Sequence, residues 1–234
     1  MLNEYFSVMV DIIFEYEGVL DKYIGDAILA VFGAPFSTGN DPDRAVKTAI
    51  DMLAALKEFN RRRLAEAKEP LNIGIGISTN HVLSGNIGSL KRMDYTVIGD
   101  GVNLASRLEG ANKVYGTHIL VSEFTFDKLT EQYVTREIDL IRVKGKMKPI
   151  GIYQILGQDE QASFPHLAEA LELFRAGLLC YRLRDWPRGV DCFSRILTLN
   201  PNDAASRLYL ERCRHFAANP PADNWDHVWT LESK

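Results

Sequence analysis

The chain is poor in cysteine, has no long apolar run, and carries little net charge. Its 3 cysteines, Cys180, Cys192 and Cys213, all fall in the last third of 234 residues. An odd number without metal-type spacing excludes a disulfide framework and a structural zinc site. It fits reduced thiols in a cytoplasmic protein, seated in helices. The 5 histidines show no ligand spacing either. No stretch approaches the roughly 20 apolar residues needed to cross a bilayer. No basic segment followed by an apolar core opens the chain, so a signal peptide is not expected. A net charge of -4 gives no nucleic-acid footprint. The short basic run Arg61-Arg62-Arg63 reads as a solvated helix end, with a phosphate or lipid contact as the alternative.

What is present is ordinary globular composition, 46% hydrophobic and 25% charged, enough for one large domain with an appendage. Leu2 to Tyr16 carries apolar residues at helical spacing and stops at Gly18. Asp41-Pro42-Asp43 opens a second helix, with Asp41 expected as its N-cap. Leu71 to Ser78 alternates with period two, and its alternate glycines predict close approach by a neighbouring backbone. Val82 to Ile87 and Asp94 to Ile98 are expected to complete a sheet, followed by a helix over Val102 to Asn112. Ile119 to Val121 is a short strand, with Ser122 capping a helix over Glu123 to Leu129, and Tyr133 to Val143 and Gly151 to Leu156 read as a closing pair of strands. The composition changes at Gly157, where a polar linker begins.

Two stretches carry the chemistry. Val19 to Gly33 is a pair of apolar runs around a turn with Lys22, Gly25 and Asp26. A carboxylate and a lysine four residues apart suit a metal and a polyanion, although a solvated turn has the same composition. Tyr95 to Leu108 carries Thr96, the Ile98-Gly99-Asp100 turn, and then Asn103 and Arg107 one helical turn apart. Alone, that second stretch also fits an exposed helix with a solvated arginine.

Together the two stretches resemble the class III nucleotide cyclases, the adenylyl and guanylyl cyclase catalytic domain, from about Leu2 to about Leu156. The resemblance implies an α+β fold, a ferredoxin-like sheet packed with helices and truncated at the N-terminus, and the residues after it read as a small α-helical hairpin. Beyond it, Gly177, Gly189, Phe193 and Pro201 fall at intervals that resemble one tetratricopeptide unit, with an unrelated helical hairpin as the alternative, so the chain reads as a catalytic domain (1–156), a linker (157–168), a helix pair (169–218) and an aromatic tail (219–234). The cyclase resemblance implies an adenylate cyclase that converts ATP to cyclic AMP and pyrophosphate, with two Mg2+ or Mn2+ ions per site. Asp26 matches a metal-binding aspartate, Arg107 the arginine on the reacting phosphate, and Asn103 the asparagine that orients the ribose. Lys22 and Thr96 match the purine-reading positions, and Thr96 in place of aspartate resembles a subgroup described as bicarbonate-responsive. Lys144 resembles the triphosphate lysine, with Lys146 close enough to be confused with it, and Asp100 takes a structural role. The family's first strand, Phe-x-Asp-Ile-x-x-Phe-Thr, carries the other metal aspartate and has no counterpart here. The chain as given is therefore expected to be inactive alone yet able to supply half of a site. The expected assembly is a head-to-tail homodimer with sites at its interface, with room for an upstream sensor. The alternative is a non-catalytic homologue that binds nucleotide or a partner.

Overall fold

The structure, a computed structural model, describes residues 1–142 and 148–230. Lys144 and Lys146 lie outside the described residues. The fold is α+β. Helix α1 (Leu2–Glu15) leads into the hairpin β1 (Val19–Ile24) and β2 (Ala27–Val31), then helix α2 (Asp41–Ala65). Strand β3 (Ile75–Ile77), the hairpin β4 (Leu83–Ser89) and β5 (Arg92–Ile98), and helix α3 (Asp100–Tyr115) follow. Next come β6 (Ile119–Ser122), α4 (Glu123–Phe126), β7 (Thr135–Arg142) and β8 (Ile150–Ile155). Helices α5 (Gln158–Ser163), α6 (Leu167–Arg182), α7 (Trp186–Leu199) and α8 (Ala204–Ala218) and a short strand β9 (Trp229–Thr230) complete the chain.

The strands form three sheets where a single one was expected. Strands β1 and β2 pair with each other, as do β4 and β5, and the main sheet runs β3-β6-β8-β7-β9. Strands β2 and β3 nonetheless serve one core. Ile28 on β2 and Ile73 just before β3 both pack against Tyr5 and Met9 of α1 and Leu56 and Phe59 of α2. Among the described residues no hydrogen-bonded strand bridges β2 to β3, which is why the hairpin stands as a sheet of its own. Asp41 is the first residue of α2 and Asn40 its N-cap. The Asp41 carboxylate is instead engaged by Thr38 and Arg44, and those contacts draw it into the helix.

The alternate glycines before and within β3 let α3 lie directly on the strand. A Cβ at Gly76 would stand 2.1 Å from the Ala105 carbonyl oxygen, and one at Gly74 2.9 Å from that of Glu109. Leu104, Leu108, Ala111 and Tyr115 then face the core. This apolar stripe at helical spacing fixes which face of α3 remains for chemistry.

The C-terminal part is three helices rather than a pair, and α6 begins inside the expected linker. Leu199-Asn200-Pro201 was expected to be the exit of the pair, and α7 does end at Leu199; a third helix then begins, because Asp203 caps α8 by accepting from the Ser206 N–H. Helices α6 and α7 meet at Gly177, where a Cβ would lie 2.7 Å from the Phe193 ring. These helices share one core with the catalytic part. Phe174, Phe193 and Tyr209 join Leu108, Tyr115 and Ile138 in a single buried cluster. Polar contacts lock the join. Arg136 of β7 makes two 2.9 Å bonds to the Asp203 carboxylate, and Asp139 accepts from Tyr115 at 2.7 Å and Arg212 at 2.8 Å. Trp225 of the tail packs its ring against Tyr181, Trp186 and Phe216. No helix among the described residues is long and apolar enough to cross a membrane.

Candidate active site

The β1–β2 hairpin closes on a two-residue turn, because Ile24 pairs with Ala27. Gly25 takes φ +65° there, a left-handed conformation that costs glycine little. Asp26 is thereby placed at the exposed tip. Burial, and after it the Asp26 charge, raise the Tyr5 phenol above its ordinary value, so Asp26 stands within electrostatic reach of α1.

Strand β1 is irregular in one place. Its register shifts between Leu20 and Lys22, a β-bulge at Asp21. In an unbroken strand Asp21 and Lys22 would point to opposite faces; a bulge re-aims a side chain. The Asp21 carboxylate reaches β5, where Oδ2 accepts from Thr96 Oγ1 at 2.8 Å and Oδ1 accepts from the Val97 N–H at 3.1 Å. Lys22 Nζ lies 3.4 Å from the same Oδ2, with the Asp21 side chain 3% exposed and that of Lys22 43% exposed. Lys22 and Thr96, distant in sequence, thus meet at one buried carboxylate. Sequence reasoning missed Asp21. Its signal was only an acid adjacent to Lys22, and strict alternation hides that it can share a face with it.

Helix α3 presents the second pair. With its apolar stripe turned inward, Asn103 is exposed and Arg107 half-buried, one turn apart. Arg107 Nη1 is enclosed and, among the described residues, has no hydrogen-bond partner. Buried polar nitrogens are normally paired, and a planar guanidinium matches phosphate oxygens well. Among the described residues no hydrogen bond or ion pair joins Asp26 to Lys22, Thr96, Asn103 or Arg107. No three His, Cys, Asp or Glu stand together as a metal site among those residues either. Two surface grooves of about 390 Å³ lie elsewhere, one against Phe6 and Tyr23 and one against Arg175 and Leu179. None of the five candidate residues lines them.

Residues 1–157 match the adenylate and guanylate cyclase catalytic domain. The chain belongs to that family. This cyclase domain is 42% identical to the adenylate cyclase of Anabaena cylindrica over 161 residues, 66% of this chain and 31% of that protein. The terminal-differentiation specific adenylate cyclase of Dictyostelium discoideum is 31% identical over 216 residues, 91% of this chain and 10% of that protein. The second likeness extends past the cyclase domain into the C-terminal helices. The chain therefore spans a third or less of these relatives. Among solved structures, the adenylyl cyclase CyaB of P. aeruginosa superposes with a TM-score of 0.61 at 36% identity, covering 67% of this chain and 81% of that one. The guanylyl cyclase Cya2 gives the same TM-score of 0.61 at 38% identity, covering 67% and 78%. The fold likeness is equal for an adenylyl and a guanylyl cyclase, so the choice of base has to be argued from residues.

Proposed function

We propose that the chain is the catalytic domain of an adenylate cyclase that converts ATP to cyclic AMP and pyrophosphate in cytoplasmic signalling. The observation that carries this reading is the meeting of Lys22 and Thr96 at Asp21. Adenine offers an acceptor at N1 and a donor at its amino group. A lysine ammonium donates to the first, and a threonine hydroxyl accepts from the second. Guanine offers a protonated N1 and a carbonyl, so Lys22 would face a donor.

In the reaction the ribose 3′ oxygen loses its proton and attacks the α-phosphorus, and pyrophosphate leaves. Asn103 orients the ribose, and Arg107 meets the charge that builds on the reacting phosphate. The partnerless Arg107 Nη1 supports that role. A charge partner preorganised in this way acts mainly in the transition state. Lys144 is assigned to the triphosphate. Mg2+ or Mn2+ would neutralise the triphosphate when bound, and Asp26 is the residue of this chain that would hold it. One carboxylate does not fit a pair of ions, and the described residues do not complete a two-ion site. The membership of the cyclase family supports a head-to-tail dimer, in which one protomer lends Asp26 to the purine and ribose contacts of its partner. The exposed apolar side chains Leu83, Met93, Tyr95 and Ile98 give β4 and β5 a surface for that contact. An upstream sensor belongs to the same reading.

The test is to give the full-length gene product ATP or GTP with Mg2+ or Mn2+ and to separate the products. Cyclic AMP should dominate; equal or greater formation of cyclic GMP would refute the base assignment. One rival is a nucleotide-binding module without turnover. That rival predicts calorimetric ATP binding with no cyclic product from either nucleotide.

A further inference from the structure

We infer that Asp21 sets the nucleobase preference of this site by fixing the direction of the Thr96 hydroxyl proton. The inference rests on the reading of Lys22 and Thr96 as the purine contacts. A threonine hydroxyl by itself cannot tell an amino group from a carbonyl, because it can accept from one or donate to the other. It has a single proton, however, and here that proton is committed. Thr96 Oγ1 donates to Asp21 Oδ2 at 2.8 Å. A carboxylate only accepts, and every group around this one donates: the Thr96 hydroxyl, the Val97 N–H and the Lys22 ammonium. The hydroxyl therefore has only lone pairs left for a ligand. It can take the adenine amino group and can offer nothing to the guanine carbonyl.

Burial makes the commitment firm. The Asp21 side chain is 3% exposed and Thr96 is 5% exposed. Water has little access to swap partners there, and a mismatched acceptor pair in such a place is costly. The bulge at Asp21 is what makes the arrangement possible, since it brings a β1 carboxylate to β5 beside Lys22. Asp21 is thus a positioning residue, acting on the base through Thr96 and Lys22.

The isosteric variant Asp21→Asn reverses the logic. An amide has one accepting oxygen for two donors. With its oxygen on the Val97 N–H, its nitrogen donates to Thr96 Oγ1, and the hydroxyl proton turns outward. The opposite orientation would set two N–H groups face to face. The experiment uses full-length wild type, Asp21→Asn, Asp21→Glu, Thr96→Val and the Asp21→Asn/Thr96→Val double variant. Each receives an equimolar ATP and GTP mixture, and the ratio of cyclic AMP to cyclic GMP is measured. In parallel, ATP and GTP each displace a fluorescent ATP analogue, so the preference is also read without turnover. Asp21→Asn should lower the preference by about tenfold to a hundredfold, the scale of one mismatched buried hydrogen bond. Asp21→Glu keeps an acceptor-only carboxylate and should retain most of it. In the Thr96→Val background Asp21→Asn should change the ratio little further, since the hydroxyl is gone. An ATP-selective wild type whose selectivity survives in Asp21→Asn would overturn the inference. A parallel fall of both products at constant ratio would also overturn it, because that is what loss of the β1–β5 tie alone would do. A wild type that favours GTP, or binds neither nucleotide, would instead overturn the purine assignment itself.

Discussion

Replacing Asp203 with alanine tests whether the C-terminal helices and the catalytic part fold as one unit. Asp203 and Arg136 form an ion pair with side chains 6% and 5% exposed. Removing one member of a buried pair leaves the other charged and uncompensated, which typically costs about 3–5 kcal/mol. Arg136 would keep its 3.1 Å and 2.7 Å bonds to Gln154 Oε1 and its place 4.5 Å over the Phe174 ring, so the low end applies. Asp203 also caps α8 through the Ser206 N–H, and losing a cap adds about 1 kcal/mol. The sum is about 4 kcal/mol, which at the steep end of usual urea slopes lowers the midpoint by about 1–2 M. Asp203→Asn keeps the cap and one acceptor and should lose about half as much. The assay is urea unfolding followed by tryptophan fluorescence and far-ultraviolet circular dichroism. All 3 tryptophans lie in the C-terminal part, at positions 186, 225 and 229. Coincident transitions that shift together indicate one cooperative unit. A midpoint shift below about 0.3 M, or a fluorescence transition that moves while the other stays, would refute the reasoning.

Three further outcomes are expected. In the full-length protein Arg107→Ala should lower turnover by about two to three orders of magnitude, with a much smaller change in ATP affinity by calorimetry; lost affinity with normal turnover at saturation would make Arg107 a ground-state contact. Gly76→Ala forces a Cβ to 2.1 Å from the Ala105 carbonyl oxygen, so it should destabilise the fold by at least about 1–3 kcal/mol and displace α3 with Asn103 and Arg107; unchanged thermal unfolding would contradict the close packing. Burial pushes the Cys213 thiol up to about 12 from an ordinary 9.0. It raises the Tyr115 and Tyr209 phenols as well. The unfolded chain releases these protons first, so this stability is full below the ordinary thiol value and is lost as pH climbs toward 12. The urea midpoint should fall between about pH 8 and pH 10.5, and a rise would reverse the assignment.

The sequence by itself determined what depends on neighbours along the chain. Helical spacing in α1 and α3, the Gly25 turn and the glycines at 74 and 76 are local signals, because a helix or hairpin is set by residues a few positions apart. Asn103 and Arg107 could be placed on one face for the same reason, four residues being about one turn. The family followed from residue types in two such stretches. The tertiary structure alone decided what depends on long-range register. A bulge shifts every later side chain by one face, and nothing in Leu20-Asp21-Lys22 announces it, so the chain order does not reveal Asp21 as the partner of Thr96. The division of the strands into three sheets is likewise a matter of which edges meet. The count of C-terminal helices turned on Asp203, which caps a third helix beyond the exit at Leu199-Asn200-Pro201. Their docking turned on Arg136 and Asp139 finding partners more than sixty residues away, Asp203 and Arg212. Such contacts form only when loop closure brings distant segments together, and sequence periodicity carries no record of that closure.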